Sequence, residues 1–265
     1  MRSQQGTSFG LPSLPITYEF PLHERIRTWL RLEDLFDKAQ FFIGMDSPRA
    51  HHAALLSLLE LAEVTTRPEL KSELIQELER QKVGLESLSN NPAVDRARLE
   101  AVLAEIASSL ADLHGMSGKV GQHLRENEWL SSIKSRSSLP GGLCGFDVPC
   151  YQHWLHQPWV RRATDLNEWL VPLLPVRNAV GQVLRILRDS GRANRQMATA
   201  GAFQLTLGGR TAHLVRVEVD EDVVCAPEIS ANKYAINIRF VLSEKSQKPR
   251  PCDHDVSFSL TLCNL

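Results

Sequence analysis

Four residues offer metal-ligand chemistry within thirteen positions: Cys144, Cys150, His153 and His156. Soft thiolate and imidazole donors in that density suit zinc. The spacing does not, because Cys144 and Cys150 have five residues between them, where structural zinc sites usually have two to four. The two histidines flank Trp154-Leu155 on an apolar segment, so a core or capping role is expected for the set and no metal. Cys252, His254 and Cys263 form a second loose group beside a terminal strand, again with irregular spacing. Gly115-Met-Ser-Gly118-Lys119 is too short for a phosphate cradle and lacks its hydroxyl. No H-E-x-x-H, G-x-S-x-G or G-x-G-x-x-G occurs, and no nucleophile–base pair shows. The expectation is a non-enzyme without cofactor.

Charge is the other resource. Arg27, Arg31 and Lys38 project within roughly 40° of one another on a helix. Helix-surface charge of this kind is commonly a solvated face, and Glu24 and Asp34 stand near enough to pair with it. From Gln157 to Arg195 there are seven arginines and three acids, a net +4. From Glu218 to Glu228 there are five acids and no base. Such separation suits docking to a charged partner. The formal net charge of −1 over 265 residues gives no global attraction to nucleic acid or anionic membrane, and no nucleic-acid-binding motif is present.

The elements that must position these residues follow from periodicity. Residues 1–14 read as a disordered leader. Ile16–Phe20 alternates like a short strand and must pair with strands from the far end of the chain. A broadly apolar helix is expected from Pro21, with proline in its first turn, and it carries the Arg27/Arg31/Lys38 stripe. Ser47-Pro48, Thr66-Arg67-Pro68-Glu69 and Asn91-Pro92 read as further helix starts, and Val120–Ile133 as one more amphipathic helix. Leu139–Pro149, with two prolines and three glycines, is a compact loop. Helices resume through Trp154 and Trp169, and a longer one runs from about Pro175 to Arg188. Four of the five tryptophans fall between Trp129 and Trp169, expected as packed core where the helices meet the sheet. From about Arg195 the period becomes two, with Gly208-Gly209 placed for a hairpin between Phe203–Leu207 and Leu214–Val219. The class is α+β: a helical bundle over 21–191, and a small, mainly antiparallel β domain from 15–20 plus 195–265. Five scattered cysteines, no signal-like N-terminal segment and no run of about eighteen uncharged apolar residues point to a cytoplasmic protein without membrane insertion.

Several of these stretches resemble one family in the same order: Arg27–Glu33, Glu73–Gln81, Val120–Glu126, Leu139–Pro149, His153–His156 and Ile238–Phe240. The family is ZapD, cell division proteins associated with FtsZ, and the resemblance runs from about Tyr18 to about Phe258. It implies a homodimer that binds the C-terminal tail of FtsZ, bundles its filaments and supports Z-ring assembly at mid-cell during septation. It also implies basic partner-binding residues at Arg27, Arg31, Arg67, Lys71, Arg125, Lys233 and Arg239. Glu128 and Gln152 depart from the basic or histidine residues that family members can carry. The alternative is a non-enzymatic scaffold for another acidic peptide.

Overall fold

A computed structural model describes residues 15–232, 234–242 and 248–264. The leader expectation for residues 1–14 and the site position Lys233 lie outside them. The fold is α+β. The described residues up to Arg27, with those from Leu187 onward, form one compact unit, and Thr28–Ile186 forms the other.

The chain opens with strand β1 (Ile16–Pro21) and helix α1 (Glu24–Ile43). Pro21 closes the strand rather than opening the helix: it pairs in register with Leu214, and Leu22 N–H donates to His213 O at 2.9 Å. Helix α2 (Pro48–Val64) starts as its sequence dictates, with Ser47 Oγ accepting from Ala50 N and Pro48 at the first helical position. After α3 (Leu70–Glu86), α4 spans Arg96–Gly115 and is capped by Asp95, whose carboxylate accepts from Arg98 N at 3.1 Å. The expected start at Asn91-Pro92 is therefore corrected. Asn91 Oδ1 accepts from Ala93 N and holds a local turn, which competes with helix formation. The expected Val120–Ile133 helix is two pieces, α5 (Gln122–Arg125) and α6 (Glu128–Ser137), because Asn127 caps the second through Leu130 N. The compact loop leads into α7 (Pro149–Leu155), α8 (Trp159–Leu170), a 3₁₀ turn at Val171–Leu173 and α9 (Leu174–Asp189).

The helical unit is held by continuous apolar packing and one buried polar lock. Trp29, Leu32, Phe36, Leu55, Leu58, Leu74, Leu78, Val180 and Leu184 are fully buried. His51 is buried too; its Nδ1 accepts from Arg162 Nε at 3.1 Å, and Nε2 lies 3.2 Å from Ile43 O. Burial, as the main cause, lowers the pKa of His51, which suits a neutral ring accepting from a guanidinium. The aromatic cluster of Trp129, Tyr151, Trp154 and Trp169 lies wholly within this unit, with Trp129 and Trp169 stacked at 5.3 Å. Trp159 is exposed instead. By length and composition Trp159–Asp189 would span a membrane. It is interrupted by the 3₁₀ turn, and Val176, Ala179, Val180, Val183 and Leu184 are buried within the helical unit.

The second unit contains β2 (Ala193–Ala198), β3 (Ala202–Thr206), β4 (Leu214–Val219), β5 (Cys225–Ala231), β6 (Ala235–Leu242), β7 (Arg250–Pro251) and β8 (Val256–Cys263). These form two antiparallel sheets rather than one. The first has the order β1-β4-β8-β2; the second is β3-β6-β5, with β7 on β6. The strand expected from Ile16 does pair with a distant strand, β4. The hairpin expected across Gly208-Gly209 does not form, since β3 pairs with β6 while β4 pairs with β1 and β8. Both glycines take positive φ, so the turn is real, but it carries the chain from one sheet to the other. Val215, Val217, Ile236, Ile238, Phe240, Phe258 and Leu260 join the sheets in one core.

A charged knot ties this unit together. Glu19 on β1 accepts two parallel bonds from Arg188, each 2.8 Å, and a third from its cross-strand neighbour Arg216 at 3.1 Å. The three side chains are only about a fifth to a quarter exposed. Glu19→Ala takes the carboxylate from Arg188 and leaves Arg216 only its 3.6 Å pair with Glu218, so a loss of about 2 kcal/mol is expected, between surface-pair and fully buried values. Urea unfolding of the variant checks this; an unchanged midpoint would refute it.

Candidate functional site: a basic cluster and a sheet groove

Helical geometry and loop packing gather sequence-distant cations in the helical unit. Arg67 lies in the turn before α3, and its Nη1 donates to Thr28 Oγ1 on α1 at 2.6 Å. Arg31 sits one turn beyond Thr28 and is exposed. Lys71, one turn into α3 from Arg67, donates to Met116 O at 2.8 Å. Arg125 spans two backbone segments, donating to Ala62 O at 3.1 Å and Val120 O at 2.8 Å. Three of these cations thus have structural anchors, while Arg31 makes no hydrogen bond or ion pair with any described residue.

The loop that delivers Arg125 depends on Gly121. Its φ is +68°, and a Cβ there would lie 2.4 Å from Thr65 Oγ1 and 3.0 Å from Arg125 Nη1. Gly121→Ala should cost about 2 kcal/mol from left-handed strain and overpacking. It should also displace Arg125. Thermal unfolding measures the first; a variant as stable as the parent would contradict it.

Arg27 belongs to the other unit. Its guanidinium lies 3.4 Å from Glu24, reaches Pro21 O, and stands over the Phe20 ring at 5.9 Å. Lys38 pairs with Asp34 at 2.6 Å. The projected stripe of three cations is therefore unequal in character, and among the described residues only Arg31 of the three has no partner.

In the β unit, strand alternation sends Ile236, Ile238 and Phe240 inward and Asn237 and Arg239 outward. Arg239 stands in register between Ala202 on β3 and Glu228 on β5; Asn237 stands between Gln204 and Ser230. This grid lines a groove of about 570 Å³. The small Ala202 leaves Arg239 open, and its guanidinium bonds to no described residue. A second groove, between α1, α4 and α9, carries Glu33, Asp37, Glu105 and Asp112 and has the wrong charge for an acidic ligand.

The arginine-rich stretch from Arg161 to Arg195 is largely consumed internally. Arg162 is buried on His51 and the carbonyls of Leu155 and Gln157. Arg177 faces Asp37, Arg185 bonds Glu105, Arg188 bonds Glu19, and Arg195 faces Asp220. Local sequence charge overstated it as a docking surface, because the pairing acids come from distant elements.

The cysteine–histidine set of the loop and α7 is exposed, which corrects the core half of the expected core or capping role, while His156 is the C-cap of α7. His156 Nδ1 lies 2.8 Å from Gln152 O and His153 Nε2 2.8 Å from Gln157 Nε2. Cys263 is buried near Arg188 O, and burial pushes its thiol up to about 11. Cys252 and His254 do come together, joined by Cys225 rather than Cys263.

The fold defines a mixed α+β protein, and its helical unit carries an exposed Arg31 together with the anchored cations Arg67, Lys71 and Arg125. The chain belongs to the ZapD family of cell division proteins, whose model matches residues 30–239. It is 53% identical over 251 residues to the cell division protein ZapD of Dechloromonas aromatica (strain RCB), covering 94% of this chain and 100% of that protein. It is similar to the ZapD of Azoarcus sp. (strain BH72), 49% identical over 250 residues, covering 94% of this chain and 100% of that relative. The ZapD of Aromatoleum aromaticum is 50% identical over 250 residues, covering 94% of this chain and 98% of that relative. Membership supports a role in cell division.

Proposed function

We propose that this chain is a non-catalytic FtsZ cross-linker. It acts in the cytoplasm at the mid-cell ring, binding the C-terminal tail of FtsZ as a homodimer and bundling filaments to support Z-ring assembly. It uses no catalytic cofactor, no nucleic acid and no membrane insertion. The helical domain (21–191) and the β domain (15–20 plus 195–265) are its working parts, with Arg27, Arg31, Arg67, Lys71, Arg125, Lys233 and Arg239 serving the tail. The observation that carries the reading is Arg31, exposed and without a partner among the described residues, one helical turn beyond the Thr28 that Arg67 bonds. An acidic segment reaching Arg31 meets a guanidinium that has no competing partner among the described residues. Arg239 offers the same chemistry in the β-sheet groove.

The physical logic favours a dimer. Each tail contact on exposed cations is weak and screened by salt. Two sites on one particle make the second engagement intramolecular, which multiplies avidity and permits bridging of filaments. Co-sedimentation with FtsZ, with and without its C-terminal tail, tests the reading: bundles should pellet only with the tail present. Sedimentation equilibrium should give twice the chain mass at micromolar concentration. Pelleting that ignores tail deletion would redirect the site to another acidic peptide, the alternative scaffold reading.

A further inference from the structure

We propose that Cys225, Cys252 and His254 bind a single transition-metal ion, zinc in first place, that clamps the Cys252–Asp255 turn to strand β5. Their ligand atoms all lie within 4.8 Å of one another. A zinc ion held at about 2.3 Å from sulfur and 2.0 Å from nitrogen needs ligand separations below about 4.6 Å, so small side-chain rotations complete the fit. Cys252 Sγ is already 3.3 Å from His254 Nδ1 and 3.4 Å from Nε2.

The sequence hides this trio because its members are brought together by the sheet. Cys225 begins β5 in register with Leu242 of β6, and Cys252 N donates to Phe240 O of the same strand at 2.9 Å. β6 thus fixes both thiols from its two flanks. The turn is pinned at its far end by Asp255, which accepts from Ala200 N at 2.9 Å. At its near end Gly201 packs so closely that a Cβ would meet Cys252 O at 2.6 Å. Two of the three donors are therefore preorganised by backbone contacts, and His254 follows two residues on.

The chemistry of the set fits. Two thiolates neutralise a divalent ion, which lets the assembly sit among Phe240, Val256 and the other core side chains without a buried net charge. Thiolate and imidazole donors select zinc over hard cations. His254 is exposed, so the ion's remaining position opens to solvent and takes water. Asp253 Oδ1 lies 3.4 Å from His254 Nδ1 and can accept a hydrogen bond from it, leaving Nε2 as the ligand.

The test uses the full chain, purified with reductant, stripped with chelator and titrated with cobalt(II). One equivalent should produce a thiolate-to-cobalt charge-transfer band, and zinc should abolish it by displacement. Cys252→Ser should remove the band. His254→Ala, at an exposed position that leaves the core intact, should fold like the parent and weaken cobalt binding at least tenfold. Absence of the band in the reduced parent would overturn the proposal. So would a band unchanged in both variants, or one lost only with Cys144→Ser and Cys150→Ser. A parent two hydrogens lighter, with a Cys225–Cys252 disulfide and no metal uptake, would overturn it as well.

Discussion

Arg31→Glu should abolish FtsZ bundling while leaving the fold and the dimer intact. Arg31 is exposed and bonds to no described residue, so its replacement removes no internal contact. Substitutions of that kind usually stay within about 0.5 kcal/mol of neutral. At the docking surface the effect is of another size. An attraction to an acidic tail becomes a repulsion, and like charges across an interface cost several kcal/mol. A loss of about 3 kcal/mol is roughly a hundredfold in affinity per tail, and a bivalent bridge feels it at both ends. Arg67→Glu is a less clean probe, because Arg67 also bonds Thr28 and its loss disturbs α1. The measurements are FtsZ pelleting at low and high salt, dimer mass and thermal unfolding. Bundling by Arg31→Glu equal to the parent at low salt would make Arg31 a solvated surface residue and move the site to the groove around Arg239.

What the sequence made legible was local. Ser47-Pro48 announced α2 because capping chemistry acts over three residues. The switch to period two announced the strands, and the outward position of Arg239 follows from alternation on β6. Pairing was less legible. Gly208-Gly209 signals a turn but not which strands it joins, and the partner of β3 lies some thirty residues further on, in β6. The same limit hid the metal-ligand trio, since Cys225 reaches Cys252 only through β6. Charge was misleading for a related reason. Arg162 and Arg188 looked available in the sequence, and their partners, the neutral His51 ring and the Glu19 carboxylate, come from the other end of the chain. Arg31 could be distinguished from Arg27 only after Phe20, Pro21 and Glu24 were seen to occupy the latter.

The helix that carries Arg31 is anchored by Trp29, and Trp29→Ala should be the most destabilising single change described here. Its side chain is fully buried. Ile26, Leu32 and Phe36 are buried on the same helix, so little space is free to collapse into the hole. Truncating a buried tryptophan combines lost transfer energy with an unfilled cavity, about 3–5 kcal/mol. That is a large share of the roughly 5–15 kcal/mol by which domains of this kind are stable. The expected result is a marked fall in the urea midpoint. The contrast with Arg31→Glu separates fold from function two residues apart. Where Trp29→Ala remains folded, at low temperature and without urea, Arg31 is still presented and FtsZ should still pellet. Where it unfolds, bundling is lost together with helical circular dichroism. A variant that keeps its parent's stability would show that the cavity at Trp29 closes at little cost. A variant that is fully folded yet fails to bundle would show that packing at Trp29 sets how Arg31 is presented.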